Sequence, residues 1–275
     1  MTPSLVVLTD FYAVSNRALS YAAGLAVPLG AHLLLLNVRH DELLAPSVPG
    51  QRMHTPQAER RTAFALQELA GEQPVPTEVD ISDDSLPAAV REAVAQRQPL
   101  LLVLGRPESA ENDPQDLVTN TAMSLLHRAP YPLLLVPAAG WDAFPPRRLL
   151  LLVDELPFQL APYQDLVRRL LAATQGTLAV VHVVTDGEAT PDPEAVLTAV
   201  RTGDLVDSLT DSDLTQVYHT SVVEGVLQEA ARQQADMLVV VARPHGWAGS
   251  LLHESITARL LSESPIPVLA LPAAE

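Results

Sequence analysis

The chain has 275 residues, 48% of them hydrophobic, so it can pack one large domain or two of ordinary size, and global disorder is excluded. Its formal net charge is −16 and all 17 basic residues are arginine. The absence of lysine removes P-loop, Schiff-base and lysine-base chemistry, and the acidity opposes nucleic acid or anionic membrane as a partner, since both need cations to displace counterions.

The N-terminal Met1-Thr2-Pro3-Ser4 leads directly into Leu5-Val6-Val7-Leu8, and Asp10 ends that run too early for a signal peptide. No apolar run approaches the roughly 18–20 residues that cross a bilayer, so a cytoplasmic protein is expected. Without cysteine there are no disulfides, thiolate metal sites or cysteine nucleophiles.

In chain order, strands are expected near Leu5 to Thr9, His32 to Val38, Thr77 to Ile81, Leu100 to Gly105 and Tyr131 to Val136. Their continuous apolar runs suit strands buried on both faces. Helical patterns lie between them at Ser15 to Leu29, Thr55 to Ala70, Leu86 to Gln98 and Leu117 to His127, with Ser85 and Asp116 as N-caps. Ala45 to Pro56 and Arg106 to Gln115 read as surface loops, and Ala138 to Arg148, with Gly140, Pro145 and Pro146, reads as a linker.

The order then repeats. Strands fall near Leu149 to Val153, Leu178 to Val184, Leu214 to His219, Met237 to Ala242 and Val268 to Leu271, and helices at Pro162 to Ala173, Pro193 to Leu209, Val222 to Gln234 and Leu251 to Leu261. Leu8-Thr9-Asp10 answers Leu152-Val153-Asp154, and Ala129-Pro130-Tyr131-Pro132 answers Ser264-Pro265-Ile266-Pro267. Alternating strands and helices, duplicated, give an α/β chain of two doubly wound parallel-sheet domains, 1–139 and 148–275.

Three features carry a resemblance. Each half opens on an apolar strand ending in aspartate, Asp10 or Asp154; each second strand ends in a polar-Val pair, Asn37-Val38 or His182-Val183; and each half closes on the small-Pro-x-Pro approach to its last strand. In this the chain resembles the universal stress protein family, over almost its whole length and as two consecutive copies.

The resemblance implies the adenine nucleotide alpha-hydrolase-like fold, with Asp10 and Val38 in one half and Asp154 and Val183 in the other facing the base of a nucleotide. Family members that bind ATP carry G-x-x-G after the fourth strand and further on G-S or G-T, where bare backbone lets amide groups close on the phosphates. In the first half Gly105 matches the first glycine, but Arg106-Pro107-Glu108-Ser109 has no second one, the loop is crowded with Glu108, Glu111, Asp113 and Asp116, and Thr119-Asn120 replaces G-S. That site reads as abandoned.

In the second half Ala242 stands for the first glycine and Glu254-Ser255 for G-S, leaving the loop a residue short, yet Arg243, Gly246, Gly249, Ser250 and Ser255 remain. If either half holds ATP or AMP, it is the second. Trp247 in this loop could stack on a ligand ring or simply pack as a lid.

Plainer roles stand beside these. Asp10 and Asp154 could just end strands and cap helices. His182, His219, His245 and His253 sit on different elements with no i, i+4 pair, Ser250 lacks a G-x-S-x-G elbow, and the carboxylates form no spaced metal motif, so no catalytic residue and no metal is expected. The functional expectation is a non-catalytic binding or regulatory module whose halves pair through their last strands as an intramolecular pseudo-dimer, with further homodimerisation open. The rival expectation is an ATP or AMP sensor in the second half with or without slow hydrolysis. An adenylyl-transfer or hydrolytic enzyme ranks last, lacking a lysine and a nucleophile-base pair.

Overall fold

The computed structural model describes residues 2–9, 13–39, 56–107, 114–139, 144–154, 156–160, 162–187, 190–206, 209–243 and 256–273. The first half runs β1 (Ser4–Leu8), α1 (Ala13–Leu29), β2 (His32–Val38), α2 (Pro56–Gly71), β3 (Thr77–Ser82), α3 (Leu86–Arg97), β4 (Leu101–Arg106), α4 (Pro114–Arg128) and β5 (Leu133–Pro137). The second runs β6 (Arg148–Leu152), α5 (Gln164–Thr174), β7 (Thr177–Val184), α6 (Pro193–Thr202), β8 (Leu214–Tyr218), α7 (Val222–Gln233), β9 (Met237–Ala242), α8 (Ile256–Glu263) and β10 (Val268–Pro272).

All ten strands form one sheet in the order β3-β2-β1-β4-β5-β10-β9-β6-β7-β8. Within each half the pairing is parallel throughout; the halves meet where β5 lies antiparallel to β10, with Leu134 opposite Leu269. The two parallel sheets expected from the repeat are thus the halves of a single one, joined through the last strands as the pseudo-dimer reading requires.

Apolar residues fill the strands because both faces are covered. Leu5, Val7, Leu33, Leu35, Leu101 and Val103 point into one core, shared with α1, α2, α5 and α6, while Val6, Leu8, Leu34, Leu36, Leu102 and Leu104 point into the other, with α3, α4, α7 and α8. A continuous apolar run is the only pattern that satisfies both cores. The outermost strands β3 and β8 are only partly buried.

Several element ends depart from expectation. α6 stops at Thr202, not Leu209, because the chain turns at Gly203 and Asp204, the latter at φ 54°. Asp116 lies inside α4, which begins at Pro114, so it is no cap. Ser85 occupies the N-cap position of α3 with extended backbone but makes no side-chain capping bond.

The connection between halves is seated by aromatics. Phe144 lies edge-on to Tyr21, ring centroids 5.2 Å apart, over Gly24 of α1, where an added Cβ would come within 2.4 Å of the Phe144 ring. Tyr131 and Tyr163, one from each half, stack edge to face at 5.1 Å, and the Tyr163 hydroxyl donates to the Pro130 carbonyl at 3.1 Å.

Among the described residues, the most buried arginine also spans the halves. Arg106, at the end of β4 and 7% exposed, donates from Nη1 to the Leu261 carbonyl at 2.9 Å and makes further bonds to the carbonyls of Ser262 and Ser264. These acceptors lie at the end of α8, where a helix runs out of amides of its own to donate and a cation also meets the favourable end of the helix dipole. Burial pulls the guanidinium pKa down from its ordinary value, and the carbonyl fork holds the charge in place. Replacing Arg106 by methionine should keep the packing but take a donor from these carbonyls, lowering stability by about 1–3 kcal/mol. Urea unfolding would register this as a lower midpoint at unchanged slope; an unshifted midpoint would mean that Arg106 is not an anchor.

Candidate functional site

Ligands of open α/β sheets bind at the carboxyl ends of strands where successive connections leave in opposite directions. The strand order puts that crevice between β1 and β4 in the first half and between β6 and β9 in the second.

In the first crevice Thr9 follows β1, its amide donating to the Leu36 carbonyl at 3.1 Å, and the buried Asn37 side chain donates to the Thr9 carbonyl at 2.8 Å. Val38 is fully buried in the core. Gly105 sits inside β4 opposite Val136. Asp10 and residues 108–113 lie outside the described residues. The cation next in line, Arg106, is committed to the far end of α8 and contributes nothing to the crevice.

The ladder corrects one sequence expectation. Arg106 pairs with Pro137 and Ala242 with Pro272, while Leu101 pairs with Leu5 and Met237 with Leu149. Ala242 therefore matches Arg106, and the match for Gly105 is Val241. The shared dipeptides Arg106-Pro107 and Arg243-Pro244 suggest a different alignment, but backbone pairing, not local identity, sets the register. A one-residue offset sends side chains to opposite faces. Arg106 accordingly turns to the α8 side, whereas Arg243 turns to the side of Phe158. The corrected count also lengthens the second loop by one residue, although Ser255 still lies one residue nearer to Val241 than its counterpart Asn120 lies to Gly105.

In the second crevice Asp154 follows β6 and closes a turn, its Oδ1 accepting from the Leu156 amide at 3.1 Å. The same Oδ1 receives Arg243 Nη2 at 2.7 Å. Arg243 donates further to the Leu156 carbonyl at 2.6 Å and from Nη1 to the Pro157 carbonyl at 3.1 Å. Its guanidinium carbon stands 6.0 Å from the centroid of the Phe158 ring, at the limit of a cation–π contact. One arginine at the exit of β9 thus ties down the whole turn after β6. Val183 is buried against Gly225 of α7, where an added Cβ would lie 3.1 Å from Val183 Cγ1. Gly246, Gly249, Ser250 and Ser255, with Trp247, lie outside the described residues.

Of the residues singled out from sequence, the structure brings Asp154 and Arg243 together, but as partners of each other. Phe158, which supports the pair, carries no sequence signal beyond its position four residues after Asp154. A shallow cleft of about 430 Å³ opens further out at the sheet edge, between the turns after β7 and β8, lined by Thr185, Asp186, Tyr218, His219 and Thr220. There His219 Nδ1 accepts from the Ser221 amide at 3.0 Å, which is a local turn bond. Among the described residues no cluster of His, Asp and Glu could hold a metal, and no helix is long and apolar enough to cross a membrane.

The universal stress protein family model matches residues 1–137 and again 146–272. Among solved structures, a universal stress protein from Archaeoglobus fulgidus DSM 4304 superposes with a TM-score of 0.66 at 15% identity, over 98% of this chain and 98% of that one. A functionally unknown protein from Pseudomonas aeruginosa PAO1 superposes with a TM-score of 0.60 at 17% identity, over 99% of this chain and 93% of that one. At these identities the likeness is one of fold. No curated protein matches the chain significantly in sequence.

The support beneath the ion pair can be tested directly. Phe158 is 4% exposed, and a Cβ added at Gly203 would lie 2.2 Å from its Cε2. With no room for the ring to swing away, Gly203→Ala should cost about 1–3 kcal/mol through overpacking. Thermal unfolding would show a lowered Tm; an unchanged Tm would mean that the ring is not clamped between Gly203 and the arginine.

Proposed function

The chain belongs to the universal stress protein family, carrying two of its domains in tandem, and from that premise we propose that it is a non-catalytic binding or regulatory module of the stress response whose nucleotide sites are reduced. The observation that carries this reading is the Arg243–Asp154 pair at 2.7 Å. The carboxylate that the family resemblance assigns to adenine already has a protein partner. In the first half the residue after Gly105 serves the contact between the halves instead. Among the described residues neither crevice holds a nucleophile and base placed for chemistry, and the acidic, lysine-free composition disfavours nucleic acid as partner. Fusing the halves secures the paired arrangement without a second chain, and we place the protein in the cytoplasm.

One observation favours a second reading, a residual ATP or AMP site in the second half. Asp154 and Arg243 remain partly exposed, with side chains 52% and 28% accessible, at the edge where ligands bind. The first crevice has no comparable cation among the described residues.

Calorimetry with ATP, joined to mass analysis of small molecules released from the purified denatured chain, separates the two. The module reading expects no released nucleotide and no ATP binding tighter than about 10 μM. Tighter binding that Asp154→Ala abolishes and Gly105→Val spares would establish the sensor reading in its place.

A further inference from the structure

The Arg243 bonds have a direction. The arginine is the first residue after β9, and all three acceptors, on Asp154, Leu156 and Pro157, lie on the segment after β6. They therefore draw together the two lips of the crevice. The pair is held by solvent-accessible groups, so it can exchange partners without a buried charge being exposed or stranded.

We propose that Arg243 is the specificity-determining residue of the second crevice, a latch that yields Asp154 only to a ligand carrying both a hydrogen-bond donor and an anionic group. This rests on the second reading above, in which Asp154 faces the ligand. A neutral donor that displaces Arg243 from Asp154 leaves the guanidinium without a counter-ion. A simple anion that captures Arg243 leaves the carboxylate without one. A ligand with both groups replaces each side of the ion pair and keeps the charges balanced, which is the exchange that costs least. The Phe158 ring, its centroid 6.0 Å from the guanidinium carbon, faces the charge while its donors change partners.

The test uses the full chain and its Arg243→Met variant, which retains an unbranched side chain but no charge. The probes are AMP, which has both groups, adenosine, which has only the donor, and inorganic phosphate, which has only the anion. The unmutated chain should bind AMP about tenfold or more tightly than either of the others, and in Arg243→Met adenosine should gain about tenfold so that the AMP-to-adenosine ratio falls to about one. A ligand-free readout accompanies this: amide hydrogen exchange at Leu156, whose N–H is held by Asp154, should speed by about tenfold in the variant while the strands are unaffected.

If exchange speeds but none of the probes binds either chain, the proposal falls because the crevice is not a ligand site. If AMP binds but adenosine gains nothing in the variant, or exchange at Leu156 does not move, the latch falls and the site remains.

Discussion

Everything in this molecule is arranged about the antiparallel contact of β5 with β10. Each half is a complete doubly wound unit except at one edge, where its last strand is wholly apolar: Leu133 to Pro137 in one, Val268 to Pro272 in the other, all buried. An uncovered edge of that kind would pair with any strand it met. Setting the two edges against each other, Leu134 opposite Leu269, removes both at once. It also dictates the contacts on either side, because β4 and β9 become second neighbours of the seam and α4 packs beside α8 across it. The Arg106 contact exists only because the seam carries the end of α8 to the end of β4.

That geometry explains why two similar dipeptides have unlike fates. Arg106 is the last residue of β4, at a strand position whose side chain faces the α8 core; Arg243 stands one position further on, beyond the end of β9. Successive side chains of a strand alternate faces. The first arginine therefore meets helix carbonyls in a buried place, and the second meets a carboxylate and an aromatic ring at the ligand edge. A duplicated unit need not diverge through large changes. A single step in register is enough to give one copy the seam and leave the other the crevice.

Much of this was legible before the fold was known, and the exceptions have physical causes. The strands were legible because burial on both faces demands unbroken apolar runs such as Leu33 to Leu36 and Leu101 to Leu104. The duplicated aspartates and the small-Pro-x-Pro approaches marked equivalent strand ends and carried the family resemblance, and it is the resemblance that implied the pairing of last strands. Helix ends were harder. α3, α5 and α7 finish on Gln98, Gln175 and Gln234 in left-handed conformation, a place where glycine is the usual signal and glutamine is none. The end of α6 did have a glycine, Gly203, but the apolar pattern continuing through Leu205, Val206 and Leu209 concealed it; Leu205 and Leu209 are buried all the same, although the helix ends at Thr202.

The site was legible in composition and not in connection. That Arg243 and Asp154 stand at the ends of β9 and β6 could be read from the sequence; that they bind each other could not, since they are 89 residues apart and only the strand order makes β6 and β9 neighbours. The alignment of the loops went astray for the same reason. Matching Arg-Pro to Arg-Pro is the natural choice when only the letters are visible, whereas the hydrogen-bond ladder puts Val241 where the first half has Gly105. This bears on function, because a valine at that place cannot give the close backbone approach for which the glycine is suited. The second half has a side chain at this strand end and a pair of opposite charges across its crevice, while the first has the glycine and an arginine turned to the seam. Equivalent strand ends therefore present different chemistry, bare backbone in the first half and an ion pair in the second.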